Sequence, residues 1–292
     1  TASEAAGLAV LVNDMDPQSV ALGEAYVAMR GVPEANVVHL SFEVTGAVMD
    51  EATFDAQYAA VQAALPDTVQ AQLITWTTPY RVECMSVTSA FAIGFDRIHC
   101  NTTGEACGPT AAIRYFDTDS THPFTDFEIR PAMMLAATSV ENGIALIARG
   151  LEADGTHPPG HGWLVRTTDV ARSVRYPQFR GVAEGFAVEG GLTFAVVDNS
   201  DGSGTNLVMD ETDVLFYFTG LTRVTDLETN TYRPGAIADH LTSFGGRVPD
   251  AGGQMSVVVW LEGGVTGSFG PTVEPCHHTT TFPHVGVLVP PA

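Results

Sequence analysis

The chain has 292 residues, and 45% of them are hydrophobic, which is enough for one large core or two modest ones. It carries 34 acidic side chains against 13 basic ones, all arginine, for a net charge of −21 at pH 7. That charge argues against nucleic acid or an anionic membrane surface as a partner. No apolar run reaches the roughly 18 to 20 residues of a membrane span. The segment TASEAAG lacks signal-peptide features, so we expect any signal to have been removed already.

The first hundred residues alternate between apolar strands and helices. The predicted strands are LAVLV (residues 8–12), VVHLSF and QLITWTT. The first helix is expected to start at Pro17, after the capping residue Asp16, and to end at Gly31. The second helix, TFDAQYAAVQAAL, is expected to be capped by Thr53 or a neighbour. This alternation predicts a parallel sheet covered on both faces.

Regular patterning stops between residues 80 and 130, where turn formers, aromatic residues and two cysteines are mixed. We predict an irregular insertion there, within a single α/β domain that spans residues 1–292. Beyond it, MMLAATS, the helix VENGIALIARGLEAD and the strand WLVRTTD predict another crossover unit, followed by the strands GLTFAVVD and DVLFYFTG. PGAIADHLTSFGG is predicted as a helix from Pro234 to Gly245 and Gly246, and SVVVWLEGG as a strand.

Together these elements predict a doubly wound, mostly parallel sheet of six or more strands. Its loops would collect at the carboxyl ends of the strands, where open α/β folds bind ligands. No phosphate-binding loop, dinucleotide GxGxxG or hydrolase GxSxG stands between a predicted strand and helix. No nucleotide cofactor is therefore expected.

Two of the four cysteines, Cys100 and Cys107, bracket the polar loop NTTGEA. This spacing favours a local disulfide and does not fit the usual four-ligand zinc patterns. A disulfide indicates an oxidising compartment, so we expect an extracytoplasmic protein that is periplasmic, secreted or at the cell surface.

The end of the chain concentrates side chains that bind metals and protons. They are Glu274, Cys276, His277, His278 and His284. The cysteine and histidines could bind zinc or copper, or a thiolate at Cys276 could act as a nucleophile beside a histidine. Alternatively, Cys276 forms a structural disulfide with Cys84, and the histidines are exposed loop residues.

A second candidate site is the segment NSDGSGTNLVMD. Asn199, Asp201 and Ser203 occupy alternate positions, Gly204 follows, and Asp210 stands at the twelfth position. Oxygen ligands with this spacing suit Ca²⁺, because the glycine allows the turn that brings the ligands together. The alternative is a simple polar turn between two strands.

Several long segments resemble a bacterial family found in genomes that carry exosortase (PEP-CTERM) sorting systems. They are LAVLVNDMDPQSVALGEAYVAMRGVPEANVV, ITWTTPYRVECMSVTSAFAIGFD, DVLFYFTG, PGAIADHLTSFGG and TGSFGPTVEPC. The similarity spans nearly the whole chain and names no activity. It implies a cell-envelope or exopolysaccharide setting, with a polysaccharide or a protein as partner.

The layout is also similar, more distantly, to the caspase and gingipain-like fold, in which a His-Gly pair and a cysteine end successive strands. The resemblance places Thr219, before Gly220, at the histidine position and Gly264 at the cysteine position. Neither residue supplies the base or the thiolate that this chemistry requires. A displaced dyad would have to come from Cys84, Cys276, His240 and His278.

The sequence is therefore compatible with two functions. The favoured one is a non-catalytic extracytoplasmic binding or structural module on a caspase-like scaffold, held by disulfides and calcium. The alternative is an enzyme, either a thiol peptidase or a zinc- or copper-dependent hydrolase, centred on Cys276, His277 and His278.

Overall fold

The computed structural model describes residues 5–100, 113–185 and 191–288. These residues group into two compact units, of which the first ends at Ile147 and the second begins at Ala148. The described strands form two parallel four-stranded sheets and one three-stranded sheet. The predicted α/β class with parallel strands is confirmed, whereas one sheet of six or more strands is not. A single domain over residues 1–292 stays a prediction.

Most of the predicted elements are present. The described strands are β1 (Leu8–Asn13), β2 (Val37–Leu40), β3 (Val48–Met49), β4 (Ala71–Ile74), β5 (Arg81–Val82), β6 (Met85–Ser86), β7 (Ala132–Met134), β8 (Gly160–Arg166), β9 (Leu192–Asp198), β10 (Val214–Thr219) and β11 (Tyr232–His240). The described helices are α1 (Pro17–Arg30), α2 (Glu51–Ala64), α3 (Val87–Ile93), α4 (Pro123–Phe127), α5 (Val140–Ala153), α6 (Tyr176–Gly185), α7 (Val257–Glu262) and α8 (Val285–Leu288). Within the described ranges, no helix is long and apolar enough to cross a membrane.

The sheet of the first unit has the strand order β2-β1-β4-β7, and all its neighbours are parallel. Val10 of β1 lies opposite Val37 of β2, and Leu8 lies opposite Ala71 of β4. The last five residues of β1 are buried, as expected for a parallel strand covered on both faces. The crossover pattern predicted for the first hundred residues is therefore confirmed.

The sheet of the second unit has the order β9-β8-β10-β11 and is also fully parallel. In each unit, the first strand lies between the second and the third, and the fourth is outermost. In each sheet, the chain therefore first adds a strand on one side of its first strand and then continues on the other side. The point of reversal lies between the neighbouring strands β1 and β4 in the first sheet and between β8 and β10 in the second. Such reversal points, at the carboxyl ends of the strands, are where ligands bind in open α/β sheets.

The two units also close the end of their first strand in the same way. Ser19 Oγ accepts a hydrogen bond of 2.9 Å from Asn13 N, and Ser173 Oγ accepts one of 3.1 Å from Thr167 N. In both pairs the serine stands six residues after the residue that donates. Ser19 Oγ also lies 2.7 Å from Thr75 Oγ1, at the end of β4. Polar side chains at these strand ends thus satisfy backbone groups that would otherwise be buried without partners.

The helix boundaries in the first unit follow the predicted capping rules. Asp16 accepts a hydrogen bond of 3.0 Å from Gln18 N at the start of α1, and Gly31 ends that helix with a left-handed φ of 67°. At α2 the capping residue is Asp50, which accepts a hydrogen bond of 2.9 Å from Thr53 N. Thr53 is therefore the donor that is capped and not the capping residue.

Two elements of the second unit differ from prediction. PGAIADHLTSFGG begins within strand β11, because Gly235 has a non-helical φ of 88° and Ile237 pairs with Phe216 of β10. The predicted strand SVVVWLEGG contains helix α7, which buries Trp260 with its ring 5.1 Å from that of Tyr217. In both cases tertiary packing overrides the local propensity of the segment.

The predicted irregular insertion, residues 80–130, contains short regular elements. The antiparallel pair β5 and β6 leads directly into α3, and α4 lies near the carboxyl end of the segment. Strand β5 also pairs with β3 to complete the three-stranded sheet. Residues 101–112 of this segment lie outside the described residues.

The serine that closes β1 should stabilise the fold measurably. We expect Ser19→Ala to lower the free energy of unfolding by about 1–3 kcal/mol, because it leaves the buried N–H of Asn13 without its side-chain acceptor. Urea denaturation should detect this loss. Ser41→Ala, which changes an exposed serine, serves as the control and should cost less than about 0.5 kcal/mol. Equal stabilities for the two variants would contradict the role given to Ser19.

Candidate functional site

The structure pairs the cysteines differently from either predicted disulfide. Cys84 and Cys100 are bonded, with Cα atoms 5.4 Å apart and a sequence separation of 16 residues. Cys84 lies in the turn between β5 and β6, and Cys100 follows the short 3-10 helix after α3. The predicted bonds from Cys100 to Cys107 and from Cys84 to Cys276 are therefore wrong, because α3 folds back and brings Cys100 to the turn. Cys107 lies outside the described residues.

Cys276 does not provide a free thiol, because it is also bonded in a disulfide. Its backbone N–H donates to Glu274 Oε1 over 2.9 Å. His277, His278 and His284 are exposed. Nowhere in the described ranges do three or more His, Cys, Asp or Glu side chains converge as metal ligands. The structure thus does not bring the predicted zinc or copper ligands together, and that site stays a prediction.

His240 is fully buried and both of its ring nitrogens are occupied. Nε2 donates to Met255 O over 3.1 Å, and Nδ1 accepts from Trp260 Nε1 over 3.0 Å. Burial lowers the pKa of His240 to about 4, with the nearby arginines acting in the same direction. His240 is therefore a neutral histidine that joins β11 to α7 and has no nitrogen left to activate a nucleophile.

The residues at the two dyad positions implied by the resemblance are also enclosed or displaced. Thr219 ends β10 and is 1% exposed. A Cβ at the next residue, Gly220, would overlap the carbonyl oxygen of Arg172, so the backbone packs directly over this strand end. Gly264 follows helix α7 and not a strand. The surface of β10 that a peptidase would need open is closed by protein.

A buried ion pair beside this strand end could not be predicted from the sequence pattern. Arg175 and Asp239 are each 1% exposed and form a two-point interaction, with N–O distances of 2.8 and 3.1 Å. Arg175 also donates to Thr219 O over 3.3 Å. A buried charge needs an opposite charge as its partner, and Asp239 provides it for Arg175. The pair therefore fixes the ends of β10 and β11 to the segment before α6.

The predicted calcium loop is already closed by hydrogen bonds within itself. Asn199 Oδ1 accepts from Gly204 N over 2.6 Å, and its amide donates to Asn206 Oδ1 over 2.7 Å. Asp201 Oδ1 accepts from Ser203 N over 2.9 Å, and Asp201, Ser203 and Asp210 are exposed. These bonds describe a polar turn, the alternative to a calcium site. Calcium binding by these residues stays a prediction.

Sequence reasoning missed a cavity of about 440 Å³ in the first unit. Its walls are the segment after β2, strand β3, the first two turns of α2 and Pro79. It therefore lies at the carboxyl ends of the sheet strands, where the predicted loops were expected to form a ligand site. A volume of this size is within the range of small-molecule sites, roughly 300–1,000 Å³.

Comparison with known protein families, with curated proteins and with solved structures gives no match to this chain.

The disulfide assignment can be tested by peptide mapping. Cleavage after Arg97 and Glu105 separates three of the cysteines, on peptides of residues 84–97, 98–105 and 106–114. We expect an unreduced digest with trypsin and a glutamate-specific protease to yield residues 84–97 linked to residues 98–105, because Cys84 bonds to Cys100. Mass spectrometry identifies the linked pair. A link between residues 98–105 and 106–114 would instead indicate the local disulfide.

The buried histidine makes stability depend on pH. Its pKa is about 4 in the folded protein against 6.5 when exposed, so the unfolded chain binds a proton first as the pH falls. The contribution of His240 is complete above pH 6.5 and declines towards pH 4, by about 3 kcal/mol in total. Urea denaturation of the wild type and of His240→Gln between pH 7 and pH 4 measures it. Their difference in unfolding free energy should shrink as the pH falls, and a constant difference would refute the assignment.

Proposed function

We propose that this chain is a non-catalytic, extracytoplasmic binding or structural module, built on a caspase-like scaffold and acting on polysaccharide in the cell envelope. One observation carries the proposal. Among the described residues, each cysteine that could form a displaced cysteine-histidine dyad is in a disulfide. Of the two candidate histidines, one is held by hydrogen bonds in the core and the other is exposed with no free thiol to act on. Cys84 and Cys276 are in disulfides, and both nitrogens of His240 are occupied. His278 is exposed at the surface.

The scaffold part of the proposal is supported by the parallel sheets of the two units. Strands that are covered on both faces and connected by helices are common to open α/β folds, including the caspase-like ones. We propose no reaction at the carboxyl end of β10, because the region around Thr219 and Gly220 is enclosed. A fold by itself does not imply an activity, and the lack of a usable dyad among the described residues supports a non-catalytic role over a peptidase.

Charge and redox chemistry support the setting. The net charge of −21 disfavours partners that are rich in phosphate or carboxylate, and it favours a neutral surface. A disulfide such as Cys84–Cys100 persists in oxidising compartments. Both features agree with an envelope polysaccharide of low charge as the partner.

Retention on polysaccharide, without cleavage, is the expected behaviour of such a module. Purified protein should bind beads that carry a neutral polysaccharide and should release neither reducing ends from them nor peptides from a fluorescent casein. Retention follows from the proposed binding role, and cleavage is not expected because the described residues hold no free thiol and both nitrogens of His240 are occupied. Bead retention, a reducing-end assay and casein fluorescence provide the three measurements.

The matched variant for this experiment is Cys276→Ser. Hydrolysis by the wild type that disappears in Cys276→Ser would refute the non-catalytic proposal and would favour the thiol enzyme. Failure of the wild type to bind the beads that carry a neutral polysaccharide would refute the polysaccharide partner.

A further inference from the structure

The cavity of the first unit differs from the other candidate sites because several of its polar groups are uncommitted. Among the described residues, no hydrogen-bond partner is found for the Ser41 hydroxyl, the Glu43 carboxylate or the Thr45 hydroxyl. Gln57 donates to Ser41 O over 3.4 Å, which leaves its side-chain oxygen available. Hydrogen-bond donors and acceptors therefore line one concave surface without being used by the fold.

The floor of the cavity is rigid. Phe42 N donates to Asn13 Oδ1 over 3.3 Å, and Asn13 Nδ2 donates to Phe42 O over 3.1 Å. The Phe42 ring packs edge-on against Trp76 at 5.1 Å. A buried side chain at the end of β1 thus fixes the segment that carries Ser41 and Glu43. Ligand binding at a surface ordered in advance loses little conformational entropy.

The helix wall is fixed as well. Both carboxylate oxygens of Asp50 are bonded to Thr53, at 2.9 Å to its N–H and 2.7 Å to its hydroxyl. These bonds hold the pKa of Asp50 below its ordinary value, so Asp50 is ionised at neutral pH. Glu43 is the only other charged residue of the lining, and no arginine of the described chain contributes to it.

These features define the chemistry of the ligand. Two carboxylates and no cation repel anionic ligands. Hydroxyl, amide and carboxylate groups suit a ligand with many hydroxyls, while Val48, Met49 and Pro79 provide apolar surface for its C–H groups. A cavity of about 440 Å³ has room for one or two sugar rings.

We infer that this cavity is the saccharide site of the protein and binds a neutral, hydroxyl-rich mono- or disaccharide unit. The inference rests on the proposed function, for which it supplies the binding site and the class of ligand. Glu43 and Gln57 provide the directional hydrogen bonds, and the Asn13–Phe42 pair positions the segment that carries Glu43.

Titration with free sugars tests the inference directly. The neutral probes are glucose, galactose, cellobiose, maltose and lactose, and glucuronic and galacturonic acids are the charged counterparts of the two monosaccharides. Saturation-transfer NMR detects binding. At least one neutral sugar should bind, and the uronic acids should bind about tenfold more weakly because of the two carboxylates. Tighter binding of the uronic acids, or no binding by any neutral sugar, would overturn the inference.

Two variants locate the site. Ala56→Trp fills the cavity from α2 and should reduce binding of the neutral sugar at least about tenfold, since the ring occupies the ligand volume. Ala60→Trp, an exposed position one turn further along the same helix and outside the lining, is the matched control and should bind as the wild type does. Glu43→Gln should weaken binding by about three- to tenfold, by removing charge-assisted hydrogen bonds. Unchanged binding by Ala56→Trp would overturn the inference.

The same variants separate this inference from the proposed function. Retention of Ala56→Trp on polysaccharide beads, equal to that of the wild type, would reject the cavity as the site and leave the binding function standing. If the wild type is not retained on the polysaccharide beads, the proposed binding function is rejected. The titration with free sugars would then still decide whether the cavity binds saccharides.

Discussion

The central strands of a buried parallel sheet pair their backbone N–H and C=O groups with both neighbouring strands along their length. The groups at the strand ends lack these partners and must form hydrogen bonds with other polar groups. This constraint governs both units of the protein. In the first unit, Asn13 and Ser19 close the end of β1. In the second, Thr167 and Ser173 do so for β8, and Arg175 bonds the end of β10. Residue types that serve as catalytic groups in other α/β proteins are therefore used here to complete the fold.

The same requirement explains why His240 is not available as a general base. His240 accepts the indole N–H of Trp260 and donates to a carbonyl, so its burial is compensated only while it stays neutral. A general base must accept a proton, and protonation would place an unpaired charge in the core. The chain thus gains packing at the junction of β11 and α7 and loses the capacity for acid–base chemistry there.

Uncommitted polar groups collect in a different place, the cavity beside β2 and α2. The Cys84–Cys100 disulfide lies in the same unit and crosslinks the segment that follows β6. A crosslink reduces the entropy of the unfolded chain. Together with the backbone bonds of Asn13, it keeps the first unit ordered without using the polar groups of the cavity lining. Ordered walls with unused hydrogen-bonding groups are suited to ligand recognition.

The sequence by itself determined the elements whose signals are local. The apolar run of β1, the capping residue Asp16 and the terminating Gly31 predicted the first crossover unit, because each acts over a few neighbouring residues. Only the tertiary structure decided the rest. Burial of Trp260 makes a valine-rich run helical, and the fold of α3 selects Cys84 as the partner of Cys100. Cysteine pairing, the hydrogen bonds of His240 and the cavity itself depend on residues far apart in sequence, whose proximity is set by packing and not by spacing along the chain.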